Sequence, residues 1–207
     1  MQNIDFDSIR EQLDKLDADR EKILRSNREI IRSCSEIIKS IHRNDFQDIE
    51  TKIKETKEAI TEIEKSARKT ENIIRKNYLT TVNQEFTEAV TFFHYATGKK
   101  IPTYQELNVN PYEYILGLGD LIGELKRMVL NSIRKDDYDK AEEIYEFMDE
   151  LYQKLFSLDY PSGMLPGFRK KVDVARNIVR RTLELIVTGK KTDTLTRKIE
   201  QLLDDGK

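Results

Sequence analysis

Apolar positions recur every three to four residues along most of this chain, from about Asp7 onward, which is the period of amphipathic helices. In the first such stretch Ile30, Ile31, Cys34, Ile37, Ile38 and Ile41 share one side, and His42-Arg43-Asn44-Asp45 ends it. Lys54 to Lys76 is a second, highly charged stretch leading into an apolar-aromatic segment from Leu79 to Ala96, which Gly98 stops. Thr103-Tyr-Gln-Glu106 has the form of a capping box for a short helix, and Asn110-Pro111 supplies an N-cap and a first-turn proline for the next one. Asp136 and Asp137 open a further helix through Tyr145, Phe147 and Leu151 to about Leu158. Asp159-Tyr-Pro-Ser-Gly163 then interrupts the pattern before a last main helix that ends near Gly189. Thr192 to Asp205 reads as one more short amphipathic helix, frayed or held by a neighbouring subunit. With no fixed-period repeat, low-complexity run or linker, the expectation is an all-α, single-domain helical bundle of about seven helices spanning residues 1–207.

Composition narrows this further. Only 8 Gly and 4 Pro in 207 residues disfavour the many tight turns of an all-β fold. Charged residues make up 36% of the chain but nearly cancel, to a net charge of -2, so any nucleic-acid binding must come from a local basic face. A single cysteine, Cys34, excludes a disulfide framework and reads as a small core residue. His42 and His94 are too few for a histidine metal site and read as packing or surface residues. The N-terminus has no signal-peptide pattern and no apolar run approaches the roughly 20 residues of a membrane span, so a cytoplasmic location without a membrane partner is expected.

The candidate chemistry lies in two acid pairs. At 100° per residue, Asp120, Glu124, Arg127 and Asn131 fall on one narrow stripe, while Ile115, Leu116, Leu118, Leu121, Ile122, Leu125, Met128, Val129 and Leu130 occupy most of the remaining circumference. Carboxylates are rarely buried unless paired, hydrogen-bonded or bound to a cation. Upstream, Glu85 and Glu88 share a face with Thr81, Phe92 and Tyr95. Two such pairs suit Mg²⁺, with Mn²⁺ as its substitute, because hard cations take oxygen ligands. In phosphodiester hydrolysis a two-metal site activates water and assists the leaving oxygen. The competing reading is that each acid pairs with Lys or Arg from an adjacent helix. A basic stripe of Arg25, Arg28, Arg32, Lys39 and Arg43, extended by Arg75 and Lys76, would track a phosphate backbone. Its alternative is a solvated face balanced by Glu29 and Glu36.

Taken together, these residues resemble the translin/TRAX family, and its TRAX branch in particular. The match is carried by Tyr114-Ile-Leu-Gly-Leu-Gly-Asp120-Leu-Ile-Gly-Glu124-Leu-Lys-Arg-Met128 with Asn131-Ser132, by Gln84-Glu85-Phe86-Thr87-Glu88-Ala89-Val90 with His94, and by Arg28-Glu-Ile-Ile31 through His42-Arg43. It extends in consistent order from about Arg20 to Gly189. The resemblance implies a translin-like fold and a Mg²⁺-dependent endoribonuclease acting on single-stranded RNA. It further implies Glu85, Glu88, Asp120 and Glu124 as catalytic metal ligands, and the basic faces, Arg127 included, holding the RNA inside a hollow octamer. The long insertion that eukaryotic TRAX carries between its acidic helices is replaced here by Gly98 to Asn110, and the chain is short and rich in Lys, Ile and Glu, so it looks like a compact archaeal relative, for which the expectation is a homo-octamer, with the need for a second translin-like subunit left open. The alternative within the family is a translin-like protein that holds single-stranded RNA or DNA without cleaving it.

Overall fold

The computed structural model describes residues 5–67 and 72–205, with side chains outside 66–78. The described residues form seven helices and no strand: α1 (Phe6–His42), α2 (Ile49–Ala67), α3 (Asn72–Ala96), α4 (Tyr104–Leu107), α5 (Pro111–Ile133), α6 (Tyr138–Phe156) and α7 (Phe168–Asp205). They divide into two compact units, Met1–Gly117 and Leu118–Lys207.

In the first unit α1 packs on α2 and α3. Its buried positions are Ile23, Asn27, Ile30, Cys34, Ile37, Ile38 and Ile41, a spacing that alternates four and three and keeps one seam turned inward. Each isoleucine taken out of water along this seam contributes about 1.5–3 kcal/mol. From α3 come Val82, Phe86, Ala89, Val90, Phe92 and Phe93, all buried. Two threonines are buried among them without loss, because Thr87 Oγ1 donates to the Asn83 carbonyl and Thr91 Oγ1 to the Thr87 carbonyl, both at 2.7 Å. The ends follow the expected chemistry. Gly98 takes φ +66 after α3, and its neighbour Lys99 N–H returns to the His94 carbonyl at 2.9 Å. The α4 capping box is present in full: Thr103 Oγ1 accepts from Glu106 N–H and Glu106 Oε2 from Thr103 N–H.

The start of α5 carries a second capping box. Asn110 Oδ1 accepts from Glu113 N–H at 2.9 Å, and Glu113 Oε2 accepts from Asn110 N–H at 3.3 Å. The same buried carboxylate accepts from Asn83 Nδ2 at 2.9 Å, which ties α5 to α3. One turn on, Gly117 lets the two backbones meet: a Cβ there would stand 2.6 Å from both the Gln84 carbonyl oxygen and Thr87 Cβ.

In the second unit α6 packs on α7 through Ala141, Ile144, Met148, Leu151 and Leu155 from one side and Val172, Ala175, Val179 and Ile186 from the other. Asp137 caps α6 by accepting from Lys140 N–H.

One expectation needs correction. The last helix does not stop near Gly189, since α7 runs unbroken to Asp205 and absorbs the segment from Thr192 read as a separate helix. Gly189 is there for contact rather than for a turn. A Cβ on it would come within 3.0 Å of the Tyr138 ring, and the next residue, Lys190, reaches both oxygens of Glu142 at 2.8 Å.

Gly117→Ala is expected to lower stability in urea denaturation by about 1–3 kcal/mol, because the added methyl meets backbone that cannot swing aside. Gly123→Ala on the same helix, where a Cβ meets nothing within 4 Å, is expected to gain about 0.5–1 kcal/mol. Equal effects in the two variants would contradict the close approach of α5 to α3.

Candidate metal and nucleic-acid site

The four acids sit where helix periodicity puts them and are all shielded to some degree. On α3, Glu88 is buried at 8% exposure, one turn from the buried Phe92, and Glu85 is half-buried. Both press negative potential onto the interior. The Cys34 thiol of α1 is pushed up to about 12, first by its burial and then by the charges of Glu85 and Glu88. Cys34 is therefore the core residue its position suggested, and an inert one.

On α5 the side chains of Asp120 and Glu124 are 30% and 24% exposed. Each faces a cation. Asp120 Oδ1 accepts from Lys171 Nζ of α7, and Glu124 lies 3.9 Å from Arg127 one turn along its own helix. The alternative that the acids pair with cations of adjacent helices is thus realised at Asp120, whereas the partner of Glu124 lies on its own helix, and the stripe of α5 is a half-shielded strip rather than a buried one. Lys171 is a residue that the sequence reading missed. It stands 51 positions from its partner in an ordinary run of basic residues, and no local pattern marks it.

Glu113, by contrast, is structural. Burial raises its carboxyl above the usual range, while donation from Asn83 and the Asn110 backbone works in the opposite direction.

Among the described residues no three His, Cys, Asp or Glu side chains close on one point as a ready-made cage. That arrangement is compatible with Mg²⁺, which keeps several waters and is commonly held by one or two carboxylates together with substrate phosphates. The oxygen donors are of the right kind, and the ammonium on Asp120 shows that a cation fits against that oxygen. Glu85, Glu88, Asp120 and Glu124 are thus suitable ligands.

Arg25, Arg28, Lys39 and Arg43 are exposed on α1 as the stripe predicted. Arg32 is exposed too, but it bonds Glu36 at 3.3 Å, so the balancing acid is real at that one position. The side chains of Arg75 and Lys76 lie outside the described residues. Between α1 and α2 runs a groove of about 760 Å³ with Asp19, Glu29, Glu36, Glu55 and Glu62 facing Lys22 and Lys52. Its excess of acid makes it unsuited to a phosphate backbone. His42 stacks on Phe92 at 4.9 Å, and His94 Nδ1 donates to the Lys100 carbonyl at 2.7 Å, both packing roles.

An all-α chain with two shielded acid pairs and an exposed basic helix face defines a recognisable class of helical proteins, and comparison gives that class its name. The chain belongs to the translin family, whose profile matches residues 18–187 and so takes in parts of both units. The uncharacterized protein MJ0175 of Methanocaldococcus jannaschii is 37% identical over 174 residues, covering 83% of this chain and 77% of that protein. Translin-associated protein X of Pongo abelii is 28% identical over 106 residues, covering 36% of this chain and only 37% of its own length. The crystal structure of AfC3PO superposes with a TM-score of 0.79 at 28% identity, over 91% of this chain and 98% of that one. A second AfC3PO structure, a complex with duplex RNA, superposes with a TM-score of 0.76 at 27% identity over the same shares. Among the described residues no helix is long and apolar enough to cross a membrane.

Cys34 yields a direct check on the interior charge. In the folded protein at about pH 8 it should resist a disulfide-exchange reagent that modifies it fully in denaturant. Because the folded state holds the thiol proton from the ordinary 9.0 up to about 12, stability should fall as pH rises through that window. The fall should shrink in Cys34→Ala, read by denaturation at each pH. Rapid modification of the native protein would contradict the buried, acid-flanked thiol.

Proposed function

We propose that the protein is a cytoplasmic, Mg²⁺-dependent endoribonuclease of the translin family that binds and cleaves single-stranded RNA within a hollow homo-octamer. The observation that carries this reading is the presence of two shielded carboxylate pairs, Glu85 with Glu88 and Asp120 with Glu124, in a chain of the translin family. These four acids would be the metal ligands and the catalytic set. Bound Mg²⁺, or Mn²⁺ in its place, supplies Lewis-acid activation of water and neutralises charge at the phosphate. The exposed guanidinium and ammonium groups of Arg25, Arg28, Arg32, Lys39 and Arg43, with Arg75, Lys76 and Arg127, hold the backbone. Phosphate contacts position a strand but carry no sequence information, so broad substrate tolerance follows.

RNA as the ligand class is supported by the AfC3PO complex with duplex RNA. Self-association is supported by apolar stripes left exposed on the two longest helices: Phe6, Ile9 and Leu13 on α1, and Leu195, Ile199 and Leu202 on α7.

A second reading, a translin-like protein that only holds single-stranded RNA or DNA, draws on a specific observation. Asp120 and Glu124 already have cationic partners, and a relic or purely structural acid set would look like this.

Cleavage of a labelled single-stranded RNA, with a duplex alongside, separates the two readings. Product should require Mg²⁺, vanish with chelator, and fall by at least about 100-fold in Asp120→Asn and Glu88→Gln while binding persists. Wild-type cleavage in both variants would sink the nuclease assignment; bound but intact RNA in every lane would establish the binding-only protein. For the basic face, Arg25→Gln with Arg28→Gln should weaken binding and reduce the salt slope by about 0.7 for each lost phosphate contact. An unchanged slope would remove those residues from the RNA path.

A further inference from the structure

The acid stripe of α5 already holds a cation, and the fold has made room for it. Lys171 of α7 lays its aliphatic stem across Gly119: a Cβ at that glycine would come within 2.6 Å of Lys171 Cδ and 2.9 Å of Cγ. The stem ends with the ammonium hydrogen-bonded to Asp120 Oδ1. Both side chains are shielded, at 21% and 30% exposure. Other cross-helix lysine–carboxylate pairs among the described residues are more exposed. Lys190 with Glu142, for example, is nearly half exposed on both sides, as is usual for a solvent-facing pair.

Three features coincide at Asp120: a missing Cβ, a stem packed in the notch it leaves, and a terminal donor on the carboxylate. A lysine seated by its stem loses little further freedom on bonding, and the partial exclusion of water strengthens the attraction. An ammonium and a divalent cation make the same demand on a carboxylate oxygen, so the two compete.

We propose that Lys171 is a built-in competing cation, a positioning residue that occupies Asp120 in the metal-free protein and sets the affinity of the site for divalent metal. Metal binding requires the ammonium to leave Oδ1. Until then it neutralises Asp120. The inference rests on the reading of Asp120 as a metal ligand.

The test is binding of Mn²⁺ alone to the purified full chain, followed by electron paramagnetic resonance without RNA. Lys171→Met keeps the stem over Gly119 and removes the charge. If the pair is closed about nine-tenths of the time, this variant should bind Mn²⁺ about tenfold more tightly than the wild type. Lys171→Arg, which keeps the charge, should show no such gain. Adding Asp120→Asn to Lys171→Met should abolish it. Unchanged affinity in Lys171→Met, with Asp120→Asn still weakening binding, overturns the competition and leaves the metal assignment standing. Affinity indifferent to Asp120→Asn overturns that assignment, and the role of Lys171 with it. A measurement on the wild type needs no variant: the Lys171 ammonium signal in nitrogen-detected NMR should be protected without metal and lose protection on adding Mg²⁺. Persistence of that signal at saturating Mg²⁺ also overturns the proposal.

Discussion

The approach of α5 to α3 at Gly117 fixes the start of α5 against the helix that carries Glu85 and Glu88. At that point the α5 backbone stands against the Gln84 carbonyl and the Thr87 side chain, closer than any residue with a Cβ permits. The contact is flanked by the Asn83–Glu113 hydrogen bond and by the capping box that begins α5. Packing, a buried polar bond and a helix cap thus meet within two turns. The first turns of α5 are held there, and the segment of α3 they touch is the one bearing Glu85 and Glu88. Precise placement of carboxylates needs this kind of support, because flexible acids lose freedom when they grip a cation whereas held acids do not.

The electrostatics are consistent with a scaffold that keeps negative charge partly out of water and then manages it. Glu113 is buried and satisfied by three donor groups. Asp120 and Glu124 are moderated by Lys171 and Arg127. The charges of Glu85 and Glu88 are felt as far as the Cys34 thiol in the α1 seam. A chain with 38 acidic and 36 basic residues could have scattered these charges over its surface; the shielding of these few is what sets them apart. The groove between α1 and α2 makes the contrast, since its lining acids suit neither RNA nor an apolar ligand.

The long terminal helices show how an apolar surface remains legible when no other described residue covers it. Phe6, Ile9 and Leu13 continue the α1 pattern, and Leu195, Ile199 and Leu202 continue that of α7, with the same three- and four-residue spacing that elsewhere is buried. Such stripes have the spacing of a helix–helix seam.

Helix identity, most boundaries and the inward face of α1 were determined by the sequence alone, because each depends on neighbours within about one turn: the 3.6-residue period, Gly98 with its positive φ, and the caps at Thr103, Asn110 and Asp137. The acid pairs were legible for the same reason, since i,i+3 and i,i+4 spacing fixes a shared face. Glycines were the blind spot. Gly189 looked like a stop and Gly117 like part of a motif, yet both serve contacts with residues 30 or more positions away, and a glycine carries no side chain to announce its partner. Lys171 was equally silent, one of several basic residues near the start of α7 until the fold set its stem on Gly119 and its ammonium on Asp120. Local periodicity is written in the order of residues; which distant charge meets which, and where two backbones touch, is decided only when the helices pack.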